Sequence, residues 1–203
     1  MRILAAADIH GSQYRLNLVL DNIEEYKPDI VVICGDITQF GPGDVAKNFL
    51  DQIPIYTLVV PGNIDTSDVA EAIKESKAEN IHMKRVEYKG VVFVGLNGVK
   101  ESDTIRFLEE QKDILSNMDI LVTHVPPHGL QDKVFLGLHS GDKLLREIVD
   151  NWNPKLVLCG HIHEDPGYTT APNGTIVVNC SMGKRGSGAL VEYGDEVTVK
   201  MLE

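Results

Sequence analysis

Cysteine, basic residues and long apolar runs are all scarce in this sequence, and each scarcity excludes something. The three cysteines, Cys34, Cys159 and Cys180, are odd in number and show no C-x-x-C spacing. A disulfide framework and a cysteine-rich zinc site are therefore not indicated. Each cysteine sits in or at the end of an apolar run and is expected to be a small buried thiol in a reducing cytoplasm. Lys and Arg total 19 against 30 Asp and Glu, a formal net charge of −11. Phosphate contacts dominate nucleic-acid binding, so an extended nucleic-acid surface is not expected. No apolar run approaches the roughly 20 residues needed to cross a bilayer. The apolar stretch near the N-terminus, Ile3-Leu4-Ala5-Ala6-Ala7, ends in Asp8 and reads as a buried strand rather than a signal peptide. A cytoplasmic protein with no membrane association is expected.

What is present is a regular alternation of apolar and amphipathic segments. Ile3–Ala7, Ile30–Cys34 and Ile55–Val60 read as strands. Tyr14–Tyr26, Asp44–Leu50 and Ser67–Lys77 read as the helices after them. The first carries Leu16, Val19, Leu20 and Ile23 on one face and is stopped by Pro28. Arg85–Tyr88 and Val91–Leu96 flank Lys89-Gly90 as a hairpin. Ser102–Leu115 returns to helix, with Ser102 as its N-cap. Ile120–Thr123 and Leu156–Cys159 are strands on either side of a helix at Gly141–Val149. The C-terminal third is all strand: Gly167–Ala171, Thr175–Asn179, Ala189–Tyr193 and Glu196–Leu202, with turns at Asn173-Gly174 and Gly194-Asp195. The βαβα opening predicts a parallel sheet covered by helices, and the later hairpins predict a mixed or second sheet.

The residues able to do chemistry cluster at the strand ends. Ile3–Ala7 ends in Asp8-Ile9-His10, Ile30–Cys34 in Gly35-Asp36, and Ile55–Val60 in Pro61-Gly62-Asn63-Ile64-Asp65. Ile120–Thr123 ends in His124, and Leu156–Cys159 in Gly160-His161-Ile162-His163. Ligands of open α/β sheets bind at the C-terminal ends of strands. Glycines before Asp36, Asn63 and His161 suit close backbone approach. Asp8, His10, Asp36, Asn63, His124, His161 and His163 together supply seven N/O donors, about what two divalent ions need with water in the remaining positions. An isolated loop polar residue means little, but polar donors at five strand ends point to a shared site. His82, in Asn80-Ile81-His82-Met83, fits no such pattern and reads as an ordinary loop or edge histidine.

In this order and spacing the motifs resemble those of the calcineurin-like metallophosphoesterases: D-x-H, G-D, G-N-H-D/E, a lone H, then G-H-x-H, over residues 1 to about 190. The resemblance implies one metallophosphoesterase domain over residues 1–203, an α/β fold built as a four-layer α/β/β/α sandwich of two mixed sheets flanked by helices. It implies that Asp8, His10, Asp36 and His163 hold one metal and that Asp36, Asn63, His124 and His161 hold the other. The reaction implied is hydrolysis of a small phosphorylated substrate, a phosphodiester in preference to a phosphomonoester, by a hydroxide bridging the metals. A mixed His, Asn and carboxylate set favours manganese, iron, zinc, cobalt or nickel over calcium, with manganese first among them. A homo-oligomer stays open. The alternative is a binding or scaffold module that keeps the fold without the catalysis; the full donor set argues against it.

The departures from the family pattern are informative. Most members have histidine where this chain has Ile64, and that histidine is the usual proton donor to the leaving group. Isoleucine cannot donate a proton, and Asp65 loses the partner it would orient. His128, in His124-Val125-Pro126-Pro127-His128-Gly129, is the candidate substitute, with His139 second. Gln39 stands where purple acid phosphatases carry a metal-binding tyrosine, so a tyrosinate iron site is not expected. Asn63, beside its metal role, and Arg185, in the Gly- and cation-containing segment Ser181–Gly188, are the candidate substrate contacts.

Overall fold

The computed structural model describes residues 1–183 and 186–203. Two six-stranded sheets face each other, and helices cover both outer faces. In the first sheet the strands β1 (Arg2–Ala6), β2 (Ile30–Cys34), β3 (Thr57–Val60) and β4 (Glu79–Asn80) run parallel. β11 (Ala189–Tyr193) is antiparallel to β1, and β12 (Val197–Met201) closes the order β12-β11-β1-β2-β3-β4. In the second sheet, β5 (Lys84–Tyr88), β6 (Val91–Gly95), β7 (Ile120–Val122), β8 (Leu156–Cys159), β9 (Gly167–Thr170) and β10 (Ile176–Asn179) take the order β5-β6-β7-β8-β10-β9. Its four inner strands β6, β7, β8 and β10 run parallel, and its two edges are antiparallel.

The uninterrupted apolar runs follow from this layering, because strands buried on both faces have no polar side. In β1, Leu4 and Ala6 pack outward against the helices α1 (Gln13–Tyr26), α2 (Gly43–Gln52) and α3 (Ser67–Glu75), whose contributions include Leu16, Val19, Phe49, Val69 and Ile73. Ile3 and Ala5 pack inward against Phe93, Ile120, Leu156 and Val178 of the facing sheet. The outer face of the second sheet is covered by α4 (Glu101–Glu110) and α5 (Lys143–Trp152), with Leu145, Ile148 and Val149 against Val94, Leu121 and Val157. The four-layer α/β/β/α sandwich is thus present.

Local boundaries differ in instructive ways. α4 begins at Glu101, not at a Ser102 cap, because Glu101 and Asp103 in its first turn complement the helix N-terminus. It ends at Glu110 and gives way to a tighter 3₁₀ turn over Lys112–Leu115 instead of continuing. α5 is capped by Asp142, whose carboxylate accepts Leu145 N–H at 2.7 Å, so Gly141 lies outside it. β4, two residues long, is too short for periodicity to show. All three cysteines are buried free thiols. Among the described residues no helix is long and apolar enough to cross a membrane.

Candidate metal centre

The C-terminal ends of β1, β2, β3, β7 and β8 meet at one edge of the sandwich, and the loops leaving them are stitched together by backbone hydrogen bonds. Asp8 N–H donates to Gly35 O at 3.1 Å, His10 N–H to Asp36 O at 2.9 Å and Gly11 N–H to Ile37 O at 2.8 Å. Gly160 N–H donates across to His124 O at 2.9 Å. Asp8, His10, Asp36 and His161 all have positive φ, between 52° and 68°. Left-handed backbone is uncommon for residues with a Cβ, and four such residues at one site mark a place where geometry is held against local preference.

Glycines make this convergence sterically feasible. A Cβ on Gly62 would stand 2.0 Å from Asp36 Oδ1, and one on Gly160 2.9 Å from Asp8 Oδ2. At Gly35, where φ is +87°, a Cβ would lie 2.5 Å from His124 Nδ1. Each glycine preceding a candidate ligand leaves room for a different ligand.

The donors gather in two groups, Asp8 with His10 and His163, and Asp36 with His124 and His161. Asn63 joins the second, its Oδ1 lying 2.8 Å from His124 Nε2. In the first group the Nε2 atoms of His10 and His163 face each other at 3.2 Å, and Asp8 Oδ1 lies 3.3 Å from His163 Nε2. Asp8 Oδ2 accepts His161 N–H at 3.0 Å, but buried Asp8 Oδ1 has no hydrogen-bond partner among the described residues. An orphaned buried carboxylate oxygen aimed at two imidazole nitrogens is expensive without a cation to satisfy it. In the second group His124 Nε2 lies 3.4 Å from Asp36 Oδ2, and His124 Nδ1 is tied to Cys34 O at 2.8 Å, which fixes the ring. The residues present fit two divalent ions.

The electrostatics agree. Burial opposes ionisation of Asp8, but the nearby His163, His124 and Ser181 outweigh it and hold its carboxyl below the usual carboxylate range. Burial also opposes a charge on His124, yet Asp36 and Asp8 raise it. The Asp8 carboxylate raises His163. Burial lowers His10, and burial with His124 lowers His161.

The two candidate proton donors occupy the long loop between β7 and α5 and share one carboxylate. His139 Nδ1 lies 2.5 Å from Asp132 Oδ1, and His128 Nδ1 lies 3.7 Å from Asp132 Oδ2. Asp132 is fully buried, and it also accepts the N–H groups of Gly129 and Gly141. Burial opposes its ionisation, but His139 and these backbone donors hold it low. The loop is fastened to the chain after His163: Lys133 N–H donates to Asp165 Oδ2, and Gln131 Nε2 to Asp165 O. Neither histidine has a hydrogen bond to the seven candidate ligands among the described residues. Arg185 lies outside the described residues.

Three participants were hidden in the sequence. Arg15 donates to Asp8 O at 2.7 Å and to Gly183 O at 3.3 Å. With His10, Tyr14 and Gln39 it lines a cavity of about 640 Å³ beside the first donor group. Asp65 is not left idle by the isoleucine before it. Its carboxylate accepts the N–H groups of Ile37, Thr38 and Gly62 at 2.9–3.2 Å and so locks the Asp36 and Asn63 loops together. His82 lines a second cleft, of about 320 Å³, together with Asn63. No spacing rule signals any of the three. Only the aspartate after Gly-Asn-x, at position 65, carried a hint.

The calcineurin-like phosphoesterase family profile matches residues 1–165. An uncharacterised protein of Methanocaldococcus jannaschii is 32% identical over 200 residues, covering 89% of this chain and 88% of that one. A protein of Arcobacter nitrofigilis named as a probable glycerophosphodiester phosphodiesterase is 28% identical over 177 residues, covering 77% of this chain and 64% of its own length. A solved structure from Thermus thermophilus superposes with a TM-score of 0.73 at 15% identity, over 100% of this chain and 99% of that one, a likeness of fold. With its donor motifs at five strand ends and its four-layer sandwich, the chain belongs to the calcineurin-like phosphoesterase family.

Proposed function

We propose that the protein is a binuclear metal-dependent hydrolase of small phosphodiesters. The observation that carries this reading is the two donor groups, the first of them holding the Asp8 Oδ1 that has no hydrogen-bond partner among the described residues. Asp8, His10, Asp36 and His163 would hold one divalent ion. Asp36, Asn63, His124 and His161 would hold the other, with manganese favoured. Bound divalent ions supply Lewis-acid polarisation of a phosphoryl group and acidify water at neutral pH. The protein's own part is to hold Asp36 between the groups, anchored by Ile64 N–H to Asp36 Oδ1 at 3.1 Å, and to fix the imidazoles.

Isoleucine at position 64 removes the usual acid, which suits diesters with leaving groups that depart without full protonation. The name of the Arcobacter nitrofigilis relative supports a diester. His128 and His139 are the donors in place of the absent histidine. Asp132 fixes His139 Nδ1 as the protonated nitrogen, leaving Nε2 to exchange a proton. Asn63 and Arg185 contact the substrate. Three free thiols suit a reducing cytoplasm.

The test is turnover of bis-p-nitrophenyl phosphate and p-nitrophenyl phosphate with added Mn²⁺. The diester is expected to turn over faster, and Asp36→Asn to lower the rate by about 100-fold or more. No metal-dependent turnover of either ester, or an unchanged Asp36→Asn variant, would overturn the enzyme reading.

A further inference from the structure

The loop between β7 and α5 carries a second feature besides His128 and His139. Residues 133–139 form a short tongue. Lys133 and His139 pair as an antiparallel bridge, Val134 N–H donates to Leu138 O at 2.8 Å, and Gly137 N–H donates to Val134 O at 2.9 Å. The root is fixed by buried Asp132, which holds His139 Nδ1 at 2.5 Å, and by Lys133 N–H on Asp165 Oδ2 at 3.0 Å. The tip is apolar and open to water, with Phe135, Leu136 and Leu138 79%, 81% and 64% exposed. They are three of the eight large apolar side chains exposed among the described residues, and they fall within four consecutive positions, so they form a patch rather than scatter. A groove of about 460 Å³ lies on the outer face of the second sheet, between α4 with its 3₁₀ turn and α5. Leu108, Leu115, Leu144, Ile148 and Trp152 form its apolar walls, and Asp113 and Glu147 are the charged residues of its lining.

We propose that the tongue of one copy of this chain fills the α4/α5 groove of a second copy, in a two-fold dimer. The two surfaces are complementary in charge as well as apolar. The tongue bears one exposed cation, Lys133, and no exposed acid, in a chain of net charge −11. The groove bears two acids and no cation among its lining residues. The order of the chain suits a two-fold axis. The tongue leads into the N-terminus of α5, and α5 forms one wall of the groove with Trp152 at its far end. Two α5 helices about 15 Å long, set antiparallel across the axis, bring each tongue beside the other copy's groove. One contact is then made twice, as an isologous interface requires. Phe135 and Trp152 are the aromatic anchors, the kind of residue that dominates interface energy. Lys133 meets Asp113 and Glu147 at the rim, where opposite charge fixes register. A lipid surface takes up the tongue but leaves the groove unfilled, and the acidic balance of the chain opposes an anionic bilayer. The proposal stands apart from the phosphodiesterase reading and does not depend on it.

The experiment is gel filtration with light scattering on Mn²⁺-loaded protein over a concentration series. The wild-type protein is expected to show twice the chain mass at about 100 μM and to dissociate on dilution. Phe135→Ser combined with Leu136→Ser, both at exposed positions, is expected to raise the dissociation constant by about 100-fold or more. Lys133→Glu is expected to raise it by about threefold to tenfold, and adding Glu147→Lys to that variant is expected to bring it back within about twofold of wild type. Both charged positions are exposed, so this pair of variants tests the contact without touching the core. A wild-type protein that is monomeric at about 100 μM overturns the proposal. So does a dimer indifferent to the Phe135 and Leu136 substitutions, or a charge reversal that Glu147→Lys fails to rescue. A mass that climbs without limit as concentration rises means an open head-to-tail chain and overturns the two-fold arrangement. Monomeric protein that sediments with phosphatidylcholine vesicles, and ceases to do so in the Phe135 and Leu136 variant, assigns the tongue to a lipid surface and overturns the dimer.

Discussion

At the scale of single residues, the position that sets the chemistry apart is Ile64. The family pattern suggests that an aspartate after a missing histidine is a remnant, yet Asp65 is fully engaged. Its carboxylate binds three backbone N–H groups from the two loops that present Asp36 and Asn63. Restoring the histidine therefore does not restore the histidine–aspartate pair. General acid catalysis is worth about 10²–10⁴-fold when the acid is well oriented. Ile64→His lacks an orienting carboxylate and is expected to raise kcat on an unactivated alkyl diester by only about tenfold. A nitrophenyl diester, whose leaving group needs no proton, is expected to change by less than about twofold. Steady-state kinetics on the two esters check this. Parallel increases on both, or no increase on the alkyl ester, would show that proton donation is not what position 64 lacks.

At the scale of elements, the strand–loop junction is the working unit. β8 ends at Cys159, and the tight turn that follows it, with His161 in left-handed backbone and Ile162 N–H bonded to Gly160 O, delivers His161 and His163. The structure sends His161 to Asp36 and His124, and His163 to Asp8 and His10. The T-shaped ring pairs repeat this division, His124 with His161 at 5.0 Å and His10 with His163 at 5.1 Å between centroids. Replacing either histidine with alanine is accordingly expected to lower bound manganese from about two to about one per chain, measured by plasma mass spectrometry after gel filtration. Loss of both ions in both variants would mean that one shared cluster, not two separable sites, holds the metal. The strand-end residues were legible because each comes after an apolar run that had to be a buried strand. Asp132, Arg15 and His82 were not. Each reaches its partners through a loop or a helix face whose path no local pattern encodes. The same holds for β4, which is defined by the pairing of Glu79 and Asn80 with Leu58 and Val59.

At the scale of the whole molecule, the layer order was readable because apolar runs without a polar face demand cover on both sides. The cost of that arrangement falls on the polar groups enclosed between the loops, and His82 gives it a measurable sign. Its folded value is about 4 against an ordinary 6.5, because burial disfavours the charged ring and the attraction of Asp103 only partly offsets this. The unfolded chain takes up this proton first as pH falls. The contribution of His82 to stability is therefore full above pH 6.5 and is lost progressively as pH falls from there through about 4. Between pH 7 and about pH 4.5 the loss amounts to about 2–3 kcal/mol. Urea unfolding of metal-free protein at these two pH values checks this against His82→Phe, which retains every carboxylate and every other histidine. The wild-type protein is expected to lose more stability than the variant over this interval, by about that amount. Equal losses in the two proteins would place the imidazole in contact with solvent in the folded state as well.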